Sequence, residues 1–228
     1  MFFIEKIQSI RPSDRVLEIG PGSTPSKQAH HFLELAFGSQ EEKIRQRGGL
    51  IHDPGFAGRP VSYYAGREFP FDDGHFDYVI CSHVVEHVED PEFFLNEIFR
   101  VGSGRGYIEF PLPPYDYLYD FDVHKNFVWF DEAVNELNYL RKCDTPLQYF
   151  GEMTTCMRQS LEEGWDDVIA LNKNTFFYGI EFQKPFAVRR RHEFDTGKKY
   201  WRGSEKSWPR MVHRYVRKVE TALRRLFG

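Results

Sequence analysis

Cysteine is scarce. The chain has three in 228 residues, Cys81, Cys143 and Cys156, too scattered for the paired spacings of a zinc motif or a disulfide framework. Such usage suits a reducing compartment, and a cytoplasmic location is the expectation. No apolar run approaches the ~20 residues that cross a bilayer, and the opening MFFIEKIQSI is short and charged where a secretion signal is long and apolar. No repeat and no low-complexity tract appears. A disulfide-stapled miniprotein, a membrane-spanning bundle and a solenoid are thereby excluded. What remains is one core-forming domain with an appendage.

Charge is ordinary in amount and uneven in place. Residues 186–228 carry 13 Lys and Arg against 4 Asp and Glu, which leaves a net −13 for the rest of a chain whose total is −4. Within that tail, Trp208, Met211, Val212, Tyr215, Val216, Val219, Leu223 and Leu226 fall on one helical stripe among arginines, an amphipathic basic pattern over 204–228. Two occupants of its apolar face stay open: the acidic body or a second subunit (a homo-oligomer), and an anionic membrane surface, which would make the protein peripheral to the membrane. Nucleic acid fits poorly, since the body is acidic and the tail lacks base-stacking loops. Aromatics are abundant, with 22 Phe and 12 Tyr, enough for core packing or for a ring-lined pocket.

The organising stretch is 69–101, FPFDDGHFDYVICSHVVEHVEDPEFFLNEIFRV. Phe76–Cys81 has the continuous apolar character of a strand buried on both faces. Asp90 as N-cap and Pro91 at the first helical position open a helix over 91–101, and 107–110 supplies the next strand. Strand, helix and strand make a right-handed crossover of a parallel sheet. Earlier, Val16–Ile19 reads as a buried strand ended by Gly20-Pro21-Gly22, where glycine lets the backbone come close to a ligand. Residues 29–37 contain a second strand ending at Glu34, or else a helix with Glu34 solvated. Val61–Tyr64 is a third strand. Residues 126–130 and 137–140 pair as a hairpin, 147–161 is helical, and 168–171 and 175–182 add two strands at an antiparallel edge. A short helix over 2–10 leads into the first strand.

Ser82 to His87 is the polar loop leaving the central strand at the edge where open α/β sheets bind ligands. His83 and His87, four apart, would share one helix face and suggest a metal pair; no third ligand is evident, and no metal is expected. The imidazoles also suit hydrogen bonding within the loop, or proton transfer near neutral pH. The Tyr- and Asp-rich run 111–125 reads as a substrate lid or as a solvated loop packed on the body, with His124 at its end.

In combination, LEIGPG and FPFDDGHFDYVICSHVVEHVEDP resemble the class I S-adenosylmethionine-dependent methyltransferases of the small-molecule type, over about residues 14–112. The resemblance implies an open, mostly parallel, seven-stranded Rossmann-like sheet with helices on both faces. It further implies a methyltransferase-like domain over 1–185 with a lid-like insertion at about 111–145, followed by the basic extension 186–228. By the same resemblance S-adenosyl-L-methionine is the cofactor, leaving as S-adenosyl-L-homocysteine. Glu18, Gly20, Pro21 and Gly22 would cradle its methionine part and Glu34 its ribose. Gly66 and Arg67 would lie near the adenine, with Ser82 and His83 lining the transfer cavity. The acceptor is a small molecule, a glycan or a lipid-linked intermediate, and His83, His87 and His124, in that order, are the candidate bases. Two departures stand out: Thr24-Pro25 where a third small residue is usual, and Ala65 where an adenine-binding Asp often stands. They keep a non-catalytic binding or scaffold protein as the alternative, and a nicotinamide-dependent oxidoreductase as a further rival.

Overall fold

The computed structural model describes residues 1–22, 24–46, 56–147 and 151–195, and statements of absence below refer to these. Apolar four- to six-residue runs become the central strands: β1 (Val16–Ile19), β4 (Tyr78–Ser82) and β5 (Gly106–Pro111) are buried almost throughout, as strands covered on both faces must be. β2 (His31–Leu35) and β3 (Val61–Tyr64) extend the sheet on one side and β8 (Phe177–Phe182) on the other. The order is β3-β2-β1-β4-β5-β8, parallel except for β8, which runs antiparallel to β5. The direction of winding reverses between β1 and β4, the switch point at which such sheets open a crevice.

Local chemistry sets the crossover. Asp90 accepts a hydrogen bond from the Phe93 amide (3.0 Å) at the start of α2 (Pro91–Val101), whose Phe94, Leu95, Ile98 and Val101 are buried against the sheet. α1 (Gln40–Gln46) follows β2, and the β1–β2 connection has no helix. The 111–125 run opens as α3 (Pro113–Tyr119), with Asp116 and Tyr119 buried. β6 (Asn126–Asp131) and β7 (Glu136–Arg141) form the expected hairpin, and β9 (Ala187–Arg190) joins it in a second, three-stranded sheet. The Lys125 amide donates to the Glu86 carbonyl (2.7 Å), and the Asn126 side chain donates to the Val88 carbonyl (2.8 Å). These bonds seat the hairpin over the loop that leaves β4.

Three expectations change. The main sheet has six described strands rather than seven. Residues 168–171 lie in the helix α5 (Asp166–Leu171), which follows α4 (Gly151–Ser160). A four-residue apolar run cannot by itself separate strand from helix, and Val168 and Leu171 are in fact exposed. At the N-terminal end the expected helix is a single 3-10 turn, Ile4–Lys6. A short helix, α6 (Lys173–Phe176), precedes β8. The basic stripe at 204–228 lies outside the described residues. Among the described residues no helix is long and apolar enough to cross a membrane.

Candidate active site

Two groups of residues face each other across the switch point. On the β1 side, Gly20 and Gly22 both have positive φ, +60° and +58°, the left-handed conformation that glycine adopts without strain. The Gly20 amide donates to the Leu33 carbonyl (2.9 Å), tying the turn to β2. A Cβ on Gly20 would sit 2.6 Å from Val84 Cγ2, so this backbone touches the β4 loop with no space to spare. A Cβ on Gly22 would meet nothing within 4 Å; that face of the turn is an open cradle. Pro21 between them is buried.

Glu34 lies in a strand, not a helix, and is buried one position past the Ile19–Leu33 pairing, hence beside Gly20. Glu18 is buried as well, and its Oε2 accepts from the Ser26 amide (2.7 Å), pinning the loop after the turn. Burial pushes the Glu18 carboxyl up to about 7, helped by the nearby Glu34 charge and opposed by the Ser26 bond and Arg59. Gly66, at φ +82°, leaves β3 alongside Leu35. Arg67 lies elsewhere: its guanidinium stands 4.9 Å over the Phe93 ring on α2. Ala65, in place of an adenine-binding Asp, is exposed. The tips of β1, β2 and β3 thus bring together Glu18, Gly20, Pro21, Gly22, Glu34 and Gly66, and leave Arg67 aside.

The β4 side is built of buried charge. His83 itself has a left-handed backbone, φ +56°. Its Nε2 is 2.9 Å from Glu109 Oε1, and its Nδ1 is 3.4 Å from Glu86 Oε1. Glu109, on β5, also accepts from the Phe2 amide (2.9 Å), the Phe3 amide (3.0 Å), Ser82 Oγ (3.1 Å) and Tyr107 Oη (2.6 Å). Burial opposes its charge, yet His83 and these donors hold the carboxyl down to about 2. Burial likewise opposes the imidazolium of His83, but Glu109 and Glu86 lift it to about 9. At neutral pH His83 is therefore an imidazolium hydrogen-bonded to Glu109 and ion-paired with Glu86, not the free base it was expected to be. Phe2, stacked on Phe177 at 4.0 Å, meets the same ring edge-on.

His87 and His124 sit one layer further out, ring centroids 4.6 Å apart. Burial pushes His87 down to about 4, against the pull of Glu86. His87 Nδ1 lies 2.9 Å from Gln46 Oε1, and His124 Nδ1 lies 2.6 Å from Asp116 Oδ1. Sequence reasoning missed Glu86, Glu109, Asp116 and the Phe2–Phe3 amides. An acid inside the apolar strand YIEF was the available signal for Glu109; the partnership with Phe2 spans 107 residues and leaves no local trace.

Residues 56–110 match the family model described as a methyltransferase domain. Over that segment the chain is similar to methyltransferase domains. The match holds β3, β4, α2 and β5 and bears out the resemblance to class I S-adenosylmethionine-dependent methyltransferases over that quarter of the chain; the Gly20–Gly22 turn and Glu34 precede it. No curated protein matches. Solved structures similar to the chain include an S-adenosylmethionine-dependent methyltransferase from Thermotoga maritima, at 19% identity over 54% of this chain and 61% of that one, with a TM-score of 0.36. Another, from Mesorhizobium loti, has 16% identity over 55% and 56% with a TM-score of 0.33. A third, from Galdieria sulphuraria and provisionally assigned as a sarcosine dimethylglycine methyltransferase, has 16% identity over 74% and 77% with a TM-score of 0.40. The chain spans about half to three fifths of the length of the first structures it matches.

Proposed function

We propose that this protein transfers a methyl group from S-adenosylmethionine to a small-molecule, glycan or lipid-linked acceptor at the crevice between the tips of β1 and β4. The observation that carries this reading is the pairing of Gly22's open face with the buried Glu34 on the neighbouring strand tip. A turn whose glycines carry no side chain on its open face admits a ligand against its backbone. A carboxylate two strand spacings from β4 can accept two hydroxyl hydrogen bonds at once. These residues fit the cofactor's amino-acid and ribose parts, with Gly66 giving close passage past β3. Bound there, the cofactor would present a sulfonium methyl for in-line displacement.

The chain's own contribution is then alignment and exclusion of water, which supply most of the rate in such a displacement. Gly20 packs without clearance on Val84 and so fixes the distance between the two tips. Glu109 fixes the loop Ser82–His83 against β5, which holds the wall nearest the acceptor in one place. Phe2, Phe177 and Tyr115 give that wall an aromatic face.

Calorimetry with S-adenosylhomocysteine tests the reading. Binding is expected to the wild type and to be lost in Gly22→Ala, whose Cβ enters the open cradle at a left-handed backbone position, with the unfolding midpoint measured alongside to show that the variant is folded. No binding to the folded wild type at millimolar ligand would end it.

A further inference from the structure

Glu86, His87 and His124 converge. Their ligand-type atoms all lie within 4.8 Å of one another, and His87 Nε2 stands 3.9 Å from Glu86 Oε1. Glu86 is fully buried, yet neither of its carboxylate oxygens has a hydrogen-bond partner; the His83 Nδ1 approach of 3.4 Å is an ion-pair distance short of hydrogen-bond geometry. A carboxylate buried without donors is costly unless a charge completes it. Both imidazoles are already oriented from behind. In a neutral imidazole, a hydrogen bond from His124 Nδ1 to the Asp116 carboxylate leaves the ligand lone pair on Nε2. The Gln46 amide oxygen does the same for His87. A histidine held through its far nitrogen by a carboxylate or amide is the usual second layer of a metal centre.

We propose that Glu86, His87 and His124 bind one divalent transition-metal ion, with Asp116 and Gln46 as the groups that orient the two histidines. Two imidazoles and one carboxylate form the donor set of open zinc and non-haem iron sites, which leave a further position for water or a substrate oxygen. Metal–ligand bonds of about 2.0–2.1 Å in a tetrahedral site put donor atoms about 3.3 Å apart. Two segments supply the three ligands: the turn Val85–His87 gives two, and the stretch before β6 gives the third. The Lys125–Glu86 and Asn126–Val88 hydrogen bonds clamp the two together. The expectation drawn from the His83–His87 pair, that a third ligand is lacking, is revised: His83 goes to Glu109, and His87 finds Glu86 and His124.

The test uses the full chain stripped with a chelator, then titrated with Zn²⁺ and, separately, Co²⁺. One equivalent of Zn²⁺ is expected to bind and to raise the melting temperature, and Co²⁺ to give the intense visible bands of a four- or five-coordinate site. Glu86→Gln and His124→Ala should each weaken Zn²⁺ binding at least a hundredfold, while His192→Ala, at an exposed histidine, leaves it unchanged. Retained stoichiometric binding in both variants would overturn the assignment. Should either variant fail to fold, the wild type decides alone: no bound equivalent, or only the weak spectrum of six-coordinate aqueous Co²⁺, overturns it. The outcome does not depend on cofactor binding, so the methyl-transfer reading and the metal site stand or fall separately.

Discussion

The two sides of the crevice are made by opposite means. At the tips of β1 and β2 the turn takes its shape from backbone, two glycines with positive φ and one amide bonded to the next strand, beside the buried carboxylates of Glu18 and Glu34. At the tips of β4 and β5 the working parts are side chains, with Glu109 alone accepting hydrogen bonds from Phe2, Phe3, Ser82, His83 and Tyr107. A turn of the first kind can stay open, because glycine adopts its conformation without side-chain packing on that face. A cluster of buried charges cannot; every group must be answered by another, and the answers lock the loop in place. One side is suited to admit a ligand and the other to position it.

The largest effect that would expose this contrast is at Glu109. Glu109→Ala leaves the His83 charge and several donors buried without an acceptor, and should cost about 3–5 kcal/mol in urea denaturation. Glu34→Ala, across the crevice, should cost far less; equal losses would erase the distinction between the two sides.

The pH dependence should differ in sign between them. Glu18 has a native carboxyl raised from 4.5 to about 7, so the folded state keeps a proton that the unfolded state releases. Its contribution falls as pH rises from about 4.5 to about 7, by on the order of 3 kcal/mol. Glu109, lowered to about 2, contributes above about 4.5 and loses that contribution as pH falls toward 2. Stability curves of wild type and Glu18→Gln would separate the two, with the variant flat over the upper interval.

For ligand binding, Glu34→Ala should weaken S-adenosylhomocysteine by about 1.5–3 kcal/mol, the worth of a charged hydrogen bond, with little change in unfolding midpoint. A shift in stability without a shift in affinity would assign Glu34 to the core instead. The smallest expected effect is at Asp90→Ala, which removes one cap bond and should cost about 1 kcal/mol of stability, leaving affinity untouched because α2 begins after the loop that faces the crevice.

Much of the fold was legible because its determinants are local. Val16–Ile19, the cap at Asp90 and the positive-φ glycines each declare themselves within a few residues, and the structure agrees with all three. Residues 168–171 misled for the complementary reason: four apolar residues hold no period, and only the neighbouring helices made them one. The histidines show the limit most sharply. Spacing alone would join His83 and His87 only on a helix; the stretch is a strand end and one tight turn, and the partners lie 26 and 37 residues away at Glu109 and His124.

By itself the sequence determined the central strands, where the chain turns, and at which edge of the sheet the glycine turn lies, since period, glycine and proline act through the chain's own steric limits. Only the tertiary structure decided which charges meet. Pairing of buried carboxylates and imidazoles follows from desolvation, which exists only once distant segments have closed water out between them.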